Sequence, residues 1–242
     1  MIKNLPDTSA EKYKTKINEL FARDSKNEKA LITLSVRSAF DLYFQAKKFP
    51  QGSEVLMTGV NIPDMVRIIE EHGCVPVPVD LDLDTMQPSL DQIKAATGEK
   101  TVCMLFGFIF GITYDPAPFA DFLKGRNIDI IEDCAQSFKS LDIYRGSPLA
   151  TMTMFSFGTI KHNTAFYGAV TIIRQPANLA NKEECTDLYS KMSKIQNTYR
   201  RYSREDYMKK VKTAFVVWMF LNSQLALKSA MKICRMKGTD IE

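Results

Sequence analysis

Between residues 29 and 174, short apolar runs alternate with longer segments of helical pattern. The runs at 29–34, 54–57, 75–79, 101–106, 128–131, 152–157 and 169–173 predict strands. The intervening segments at 39–48, 64–72, 90–96 and 118–126 predict helices. Strands and helices in alternation predict an α/β fold on a largely parallel sheet. Gly52, Gly73, Gly98 and Gly125 fall near predicted helix ends, where a residue tolerant of positive φ is often used. Pro50-Gln51-Gly52 predicts a turn.

After Arg174 the pattern changes. Residues 175–206 are polar, carry the basic run Tyr199-Arg200-Arg201-Tyr202, and hold no convincing strand. Residues 214–227 are strongly apolar, with Trp218 and Phe220, and are flanked by Lys209, Lys210 and Lys212 before and Lys228, Lys232 and Arg235 after. This stretch is interrupted by Asn222, Ser223 and Gln224 and falls short of the roughly 20 residues that span a bilayer. It reads as a helix packed on a partner subunit or further domain, or as an interfacial helix making weak membrane-surface contact through 209–237. The predicted division is therefore 1–174, opening with a helical segment at 1–29, and a helical tail at 175–242.

The chain has 242 residues, 45% of them hydrophobic and 25% charged, which is the composition of a globular protein with one large core or two modest ones. Its net charge of +4, with no RNA- or DNA-binding signature, argues against nucleic acid as a partner. Five cysteines, widely spaced and without a CxxC or Cys/His cluster, suggest neither a disulfide framework nor a metal site. A reducing compartment follows. Residues 1–29 are polar and lack the apolar core of a signal peptide, so a cytoplasmic protein is expected.

Ligands of an open parallel sheet bind beyond the carboxyl ends of its strands. Two segments lie at such ends: Ile131-Glu132-Asp133-Cys134-Ala135-Gln136-Ser137 and Phe155-Ser156-Phe157-Gly158-Thr159-Ile160-Lys161. The first supplies an acid, Asp133, and the second an amine, Lys161. That pair is what pyridoxal phosphate requires, because the protein must offer a lysine for the Schiff base and a carboxylate facing the pyridinium nitrogen. Taken singly, Asp133 also reads as a helix cap and Lys161 as a solvated loop lysine. Their convergence by topology favours the cofactor.

Together with Gly52-Ser53-Glu54-Val55, Gly73-Cys74-Val75-Pro76-Val77-Pro78-Val79-Asp80 and Asp82-Leu83-Asp84-Thr85, these segments resemble the DegT/DnrJ/EryC1/StrS family of pyridoxal-phosphate sugar aminotransferases. The family signatures read E-D-A-A-Q-A/S and F-S-F-x-x-x-K, and the likeness runs from about Leu31 to Arg174. It implies the large domain of a fold type I transferase, a mostly parallel sheet with helices on both faces. It further implies a homodimer with active sites at the subunit interface, and transfer of an amino group from an amino acid donor, glutamate, to a nucleotide-linked keto sugar.

By the same resemblance, Lys161 is the Schiff-base lysine and proton shuttle, and Asp133 pairs with the pyridine nitrogen. Gln136 reaches the phenolic oxygen or the ring, and Ser156 donates to the phosphate. The usual S-G-T-A-A becomes Ser35-Val36-Arg37-Ser38-Ala39, where Arg37 and Ser38 at a helix start would hold the phosphate. Ile62 takes the place of the aromatic residue that stacks on the ring, at a cost of roughly 0.5 to 1.5 kcal/mol. Phe166-Tyr167-Gly168-Ala169 stands where Gly-Gly-Ala is common. His162 is either a substrate-side group or an incidental neighbour, and His72 has no evident partner. Retention of Lys161 separates the chain from pyridoxamine-dependent dehydratases, in which histidine commonly replaces it. Family members run considerably longer, so a second expectation stands beside the aminotransferase: a catalytically impaired member serving as a binding or membrane-associated interaction protein.

Overall fold

The computed structural model describes residues 7–24, 27–161, 163–165, 167–174 and 187–199. His162, Phe166 and the tail features from Arg200 to Arg235 lie outside the described residues. Among the described residues, seven strands are arranged in one sheet in the order β1-β7-β6-β5-β4-β2-β3. They are β1 (Glu28–Thr33), β2 (Glu54–Thr58), β3 (Val75–Val79), β4 (Thr101–Gly107), β5 (Asp129–Asp133), β6 (Met152–Ser156) and β7 (Ala169–Arg174). The helices are α1 (Asp7–Phe21), α2 (Val36–Lys47), α3 (Pro63–Glu71), α4 (Leu90–Ala96) and α5 (Ala117–Lys124). β3, β2, β4, β5 and β6 pair in parallel, and β7 runs antiparallel to both β6 and β1. The largely parallel α/β fold is as the sequence predicts.

The central strands read as continuous apolar runs because helices cover both faces of the sheet. Val55, Met57, Cys103, Leu105, Ile131 and Met154 pack with Phe40 and Tyr43 of α2 and Met65 and Ile69 of α3. Their sequence neighbours Leu56, Met104, Phe106, Ile130 and Phe155 pack with Phe21 of α1, Ile93 of α4 and Phe119 of α5. By this two-residue period Asp133 and Ser156 belong to the α2 face and Glu132 to the α5 face. Helical residues from 187 onward add Leu188 and Met192 to the α2-side core. At the sheet edge, β3 alternates valine with Pro76 and Pro78, residues that cannot donate to a further strand and so close the sheet there. The chain forms two compact units, Met1–Ile195 and Gln196–Glu242; of the second only 196–199 are described, as helix.

Three local expectations are revised. α2 begins at Val36, three residues before the predicted start, because Ser35 caps it by accepting the Ser38 N–H at 3.1 Å. Gly52 and Gly73 have φ of 80° and 71°, but Gly125 is right-handed at −59°, and Asn127 makes the left-handed turn after α5 with φ 55°. His72 does have a partner: its Nε2 lies 2.8 Å from Asp41 Oδ1, and its ring stacks on Phe44 at 5.3 Å.

Candidate active site

The placement of the site begins at the opposite end of the sheet. Asp129, the first residue of β5, receives hydrogen bonds from Tyr43 Oη at 2.6 Å and Thr151 Oγ1 at 3.2 Å, and pairs with Lys47 Nζ at 2.9 Å. These contacts pin the C-terminal end of α2 to the start of β5. A helix of this length rises about 18 Å, about the length of a five-residue strand, so the N-terminus of α2 is carried to the carboxyl end of the sheet. There Ser35 and Ser38 stand with their hydroxyl oxygens 3.0 Å apart.

Asp133 ends β5. Its carbonyl accepts the Phe108 N–H at 3.0 Å, while the next N–H, of Cys134, reaches back to the Met154 carbonyl at 2.9 Å. The chain then turns over residues 135–137, and Asp133 Oδ1 accepts the Ala135 N–H at 2.9 Å. Asp133 thus caps a turn, not a helix. Its residue is only 8% exposed, and burial pushes the carboxyl up to about 6, against the downward pull of the Ala135 N–H and of the Lys161 ammonium. Lys161 thus lies within electrostatic range of Asp133. Lys161 itself is half-buried, in a turn closed by its N–H on the Gly158 carbonyl at 3.0 Å.

Ser156 ends β6, two residues beyond Met154, the partner of Asp133 across β5 and β6. Gln136 is exposed, and its Oε1 receives the Phe110 N–H at a long 3.5 Å. Phe110 holds a left-handed φ of 54° with its side chain 74% exposed. Arg37 points toward α3 and pairs with Asp64 Oδ2 at 2.6 Å. Ile62, the residue before α3, is 40% exposed. Thus Asp133 lies within electrostatic range of Lys161, with Ser156 on the neighbouring strand and Ser38 at the same carboxyl end of the sheet, whereas Arg37 is engaged by a carboxylate.

Two features were not apparent in the sequence. Glu132, fully buried beside Asp133 in sequence, accepts from Tyr144 Oη at 2.6 Å, the Ser147 N–H at 3.1 Å and Thr153 Oγ1 at 2.5 Å. At the end of β4, Thr58 Oγ1 accepts the Gly107 N–H at 3.0 Å, and the Asn61 amide is packed against the same glycine. Among the described residues, no cluster of His, Cys, Asp or Glu could hold a metal ion, and no helix is long and apolar enough to cross a membrane.

Comparison with known proteins adds the family. The model of the DegT/DnrJ/EryC1/StrS aminotransferase family matches residues 7–217. GDP-perosamine synthase of Escherichia coli O157:H7 is 29% identical over 160 residues, 66% of this chain and 42% of that protein. dTDP-4-dehydro-2,6-dideoxy-D-glucose 3-dehydratase of Saccharopolyspora spinosa is 29% identical over 124 residues, 50% of this chain and 26% of that one. The chain therefore spans less than half the length of these relatives. Among solved structures, an aminotransferase from Psychrobacter cryohalolentis superposes with a TM-score of 0.62 at 21% identity, over 75% of this chain and 43% of its own. NtdA of Bacillus subtilis, with bound cofactor PMP, gives 0.58 at 21% identity, over 72% and 39%. These likenesses establish the fold.

Proposed function

Because this chain belongs to the DegT/DnrJ/EryC1/StrS aminotransferase family, we propose that it binds pyridoxal phosphate and moves an amino group from glutamate to a nucleotide-linked keto sugar, as a homodimer. The observation that carries the proposal is a buried acid, Asp133, held within the field of a lysine, Lys161, beyond the ends of adjacent parallel strands. The donor set fits the group. Bound there, the cofactor supplies the electron sink and carries the amino group between the two substrates.

Each residue then has a task. Asp133, pushed up to about 6 by burial, would face the ring nitrogen, and a cationic partner there would draw it back to the carboxylate form. Lys161 would hold the cofactor through its side-chain amine and, when that amine is free, would take up and return the proton of the donor's α-carbon. Ser35 and Ser38 present hydroxyls at the N-terminus of α2, where the helix dipole favours the phosphate. Ser156 adds a hydroxyl from β6, and Gln136 offers its amide N–H groups, its Oε1 being turned to Phe110.

The relatives include both a GDP-perosamine synthase and a 3-dehydratase. Lys161 favours transfer, because an amine both attaches the cofactor and shuttles the proton. The alternative, a member that binds without turnover, is favoured by the engagement of Arg37 with Asp64 and the exposed aliphatic Ile62. Titration of the purified chain with pyridoxal phosphate, followed by borohydride reduction and peptide mapping, tests the assignment. The native chain should gain absorption at about 420 nm and carry the label on Lys161, and Lys161→Ala should do neither. Labelling of Lys161→Ala at the same peptide, or no band in the native chain, would defeat it. Glutamate-dependent loss of the band then separates transfer from binding alone.

A further inference from the structure

We infer that Asn61 donates a hydrogen bond to the 3-oxygen of the bound pyridoxal ring, a role that rests on the cofactor reading above. The side-chain amide of Asn61 has a determined orientation. Its Oδ1 accepts the Ile62 N–H at 2.8 Å, so a flipped amide would set two donors against each other. The Nδ2 end is consequently the free one. It is buried and has no hydrogen-bond partner among the described residues. A buried donor without an acceptor is unfavourable, and it gains if a ligand brings one.

The location of Nδ2 specifies which ligand atom that is. A methyl group built on Gly107 would stand 3.2 Å from Asn61 Nδ2 and 2.9 Å from Thr58 Oγ1, so only glycine allows the amide to lie this close to the end of β4. Gly107 pairs with Asp133 across β4 and β5, one strand spacing of about 4.8 Å away. In the sheet order, β6 lies on one side of Asp133 and β4 on the other. Ser156 belongs to β6, and α2 packs over β6, β7 and β1, so the groups suited to the phosphate are all on the β6 side. In pyridoxal phosphate the phosphate arm at C5 and the oxygen at C3 flank the N1–C4 axis on opposite sides. With N1 at Asp133 and the phosphate toward β6, the 3-oxygen lies toward β4 and Asn61.

The test uses the full chain and two probes that lack the aldehyde and bind without covalent attachment: 4-deoxypyridoxine 5′-phosphate, which keeps the 3-hydroxyl, and its 3-deoxy counterpart. Calorimetric titration should show Asn61→Ala weakening the first about tenfold and the second less than about twofold. Asn61→Ser, which retains a short acceptor for the Ile62 N–H, should repeat the pattern if the alanine variant folds poorly. Equal loss for both probes, or none for the first, would overturn the role of Asn61 and leave the cofactor reading standing. Failure of the native chain to bind either probe would overturn both.

Discussion

Asp133→Asn removes a charge while keeping the shape of the side chain and the oxygen that accepts the Ala135 N–H. In the native chain the carboxyl is raised from 3.8 to about 6, chiefly by burial. A gap of about two pH units corresponds to roughly 3 kcal/mol, at 1.36 kcal/mol per unit. Because the folded value is the higher one, the folded chain binds more protons than the unfolded chain between about pH 4 and pH 6. Stability therefore falls as pH rises through that window and is level with respect to this group above it. The asparagine variant has no proton to bind there. It should match the native protein near pH 4 and exceed it by about 1 to 3 kcal/mol at pH 7, the lower figure allowing for lost attraction to Lys161. Urea unfolding of the cofactor-free chain at a series of pH values measures the difference directly. Added pyridoxal phosphate should stabilise the native chain and leave the variant nearly unchanged, since a site that binds often does so at the expense of the empty fold. A stability difference that does not vary with pH, or a variant less stable than native at pH 7, would refute the reasoning.

Gly146→Ala should be costly, because Gly146 has φ 84° and an added methyl would meet Thr153 Oγ1 and stand 2.6 Å from Glu132 Oε2. A loss of at least about 2 kcal/mol, seen as a melting temperature lower by about 4–8 °C, is expected, and a shift under about 1 °C would show that the loop yields freely. Ser35→Ala removes the cap of α2 and should cost about 1 kcal/mol in stability. It should also weaken pyridoxal phosphate more than unphosphorylated pyridoxal in parallel titrations; equal effects on the two would remove Ser35 from the phosphate site.

The strands were legible because burial on both faces forces long apolar runs, and every predicted strand is present to within two residues at either end. Helix interiors were legible for the same reason, but their ends depend on side chains that carry no periodicity. The apolar periodicity of α2 begins only at Ala39, and the helix gains Val36, Arg37 and Ser38 through the cap that Ser35 supplies. Gly125 looked like the end-marking glycine of α5, yet Asn127 two residues later takes the left-handed turn, since either type tolerates it. Long-range pairs were the least legible. Arg37 with Asp64 and His72 with Asp41 join residues far apart in sequence, and the packing of α2 against α3 creates both. Asp133 and Lys161 could be paired from the sequence despite their separation because strand ends converge by topology, and they lie within electrostatic range of each other. Nothing in residue type alone distinguished Asn61, whose significance lies in the donor left over after Ile62 is satisfied.

The adjacent carboxylates Glu132 and Asp133 differ in how fully their hydrogen-bonding capacity is met. Burial raises both above the ordinary carboxylate range. Strand alternation then turns them to opposite faces, where their surroundings differ. Glu132 is met by Tyr144, Ser147 and Thr153, and Arg174 reaches Thr153 Oγ1 at 2.6 Å and Glu28 Oε1 at 2.9 Å. That network ties the 144–147 loop to β5, β6, β7 and β1 and backs the carboxyl end of β5 from the α5 side. A carboxylate so fully satisfied has little to offer a ligand. Asp133, also buried but met by far fewer donors, retains acceptor capacity that a cationic ligand could fill. The first acid of the Glu-Asp pair holds the strand end in place, and the second, within electrostatic range of Lys161, is left underserved. For a buried acid at the end of a parallel strand, the shortage of partners is thus more informative about function than the burial itself.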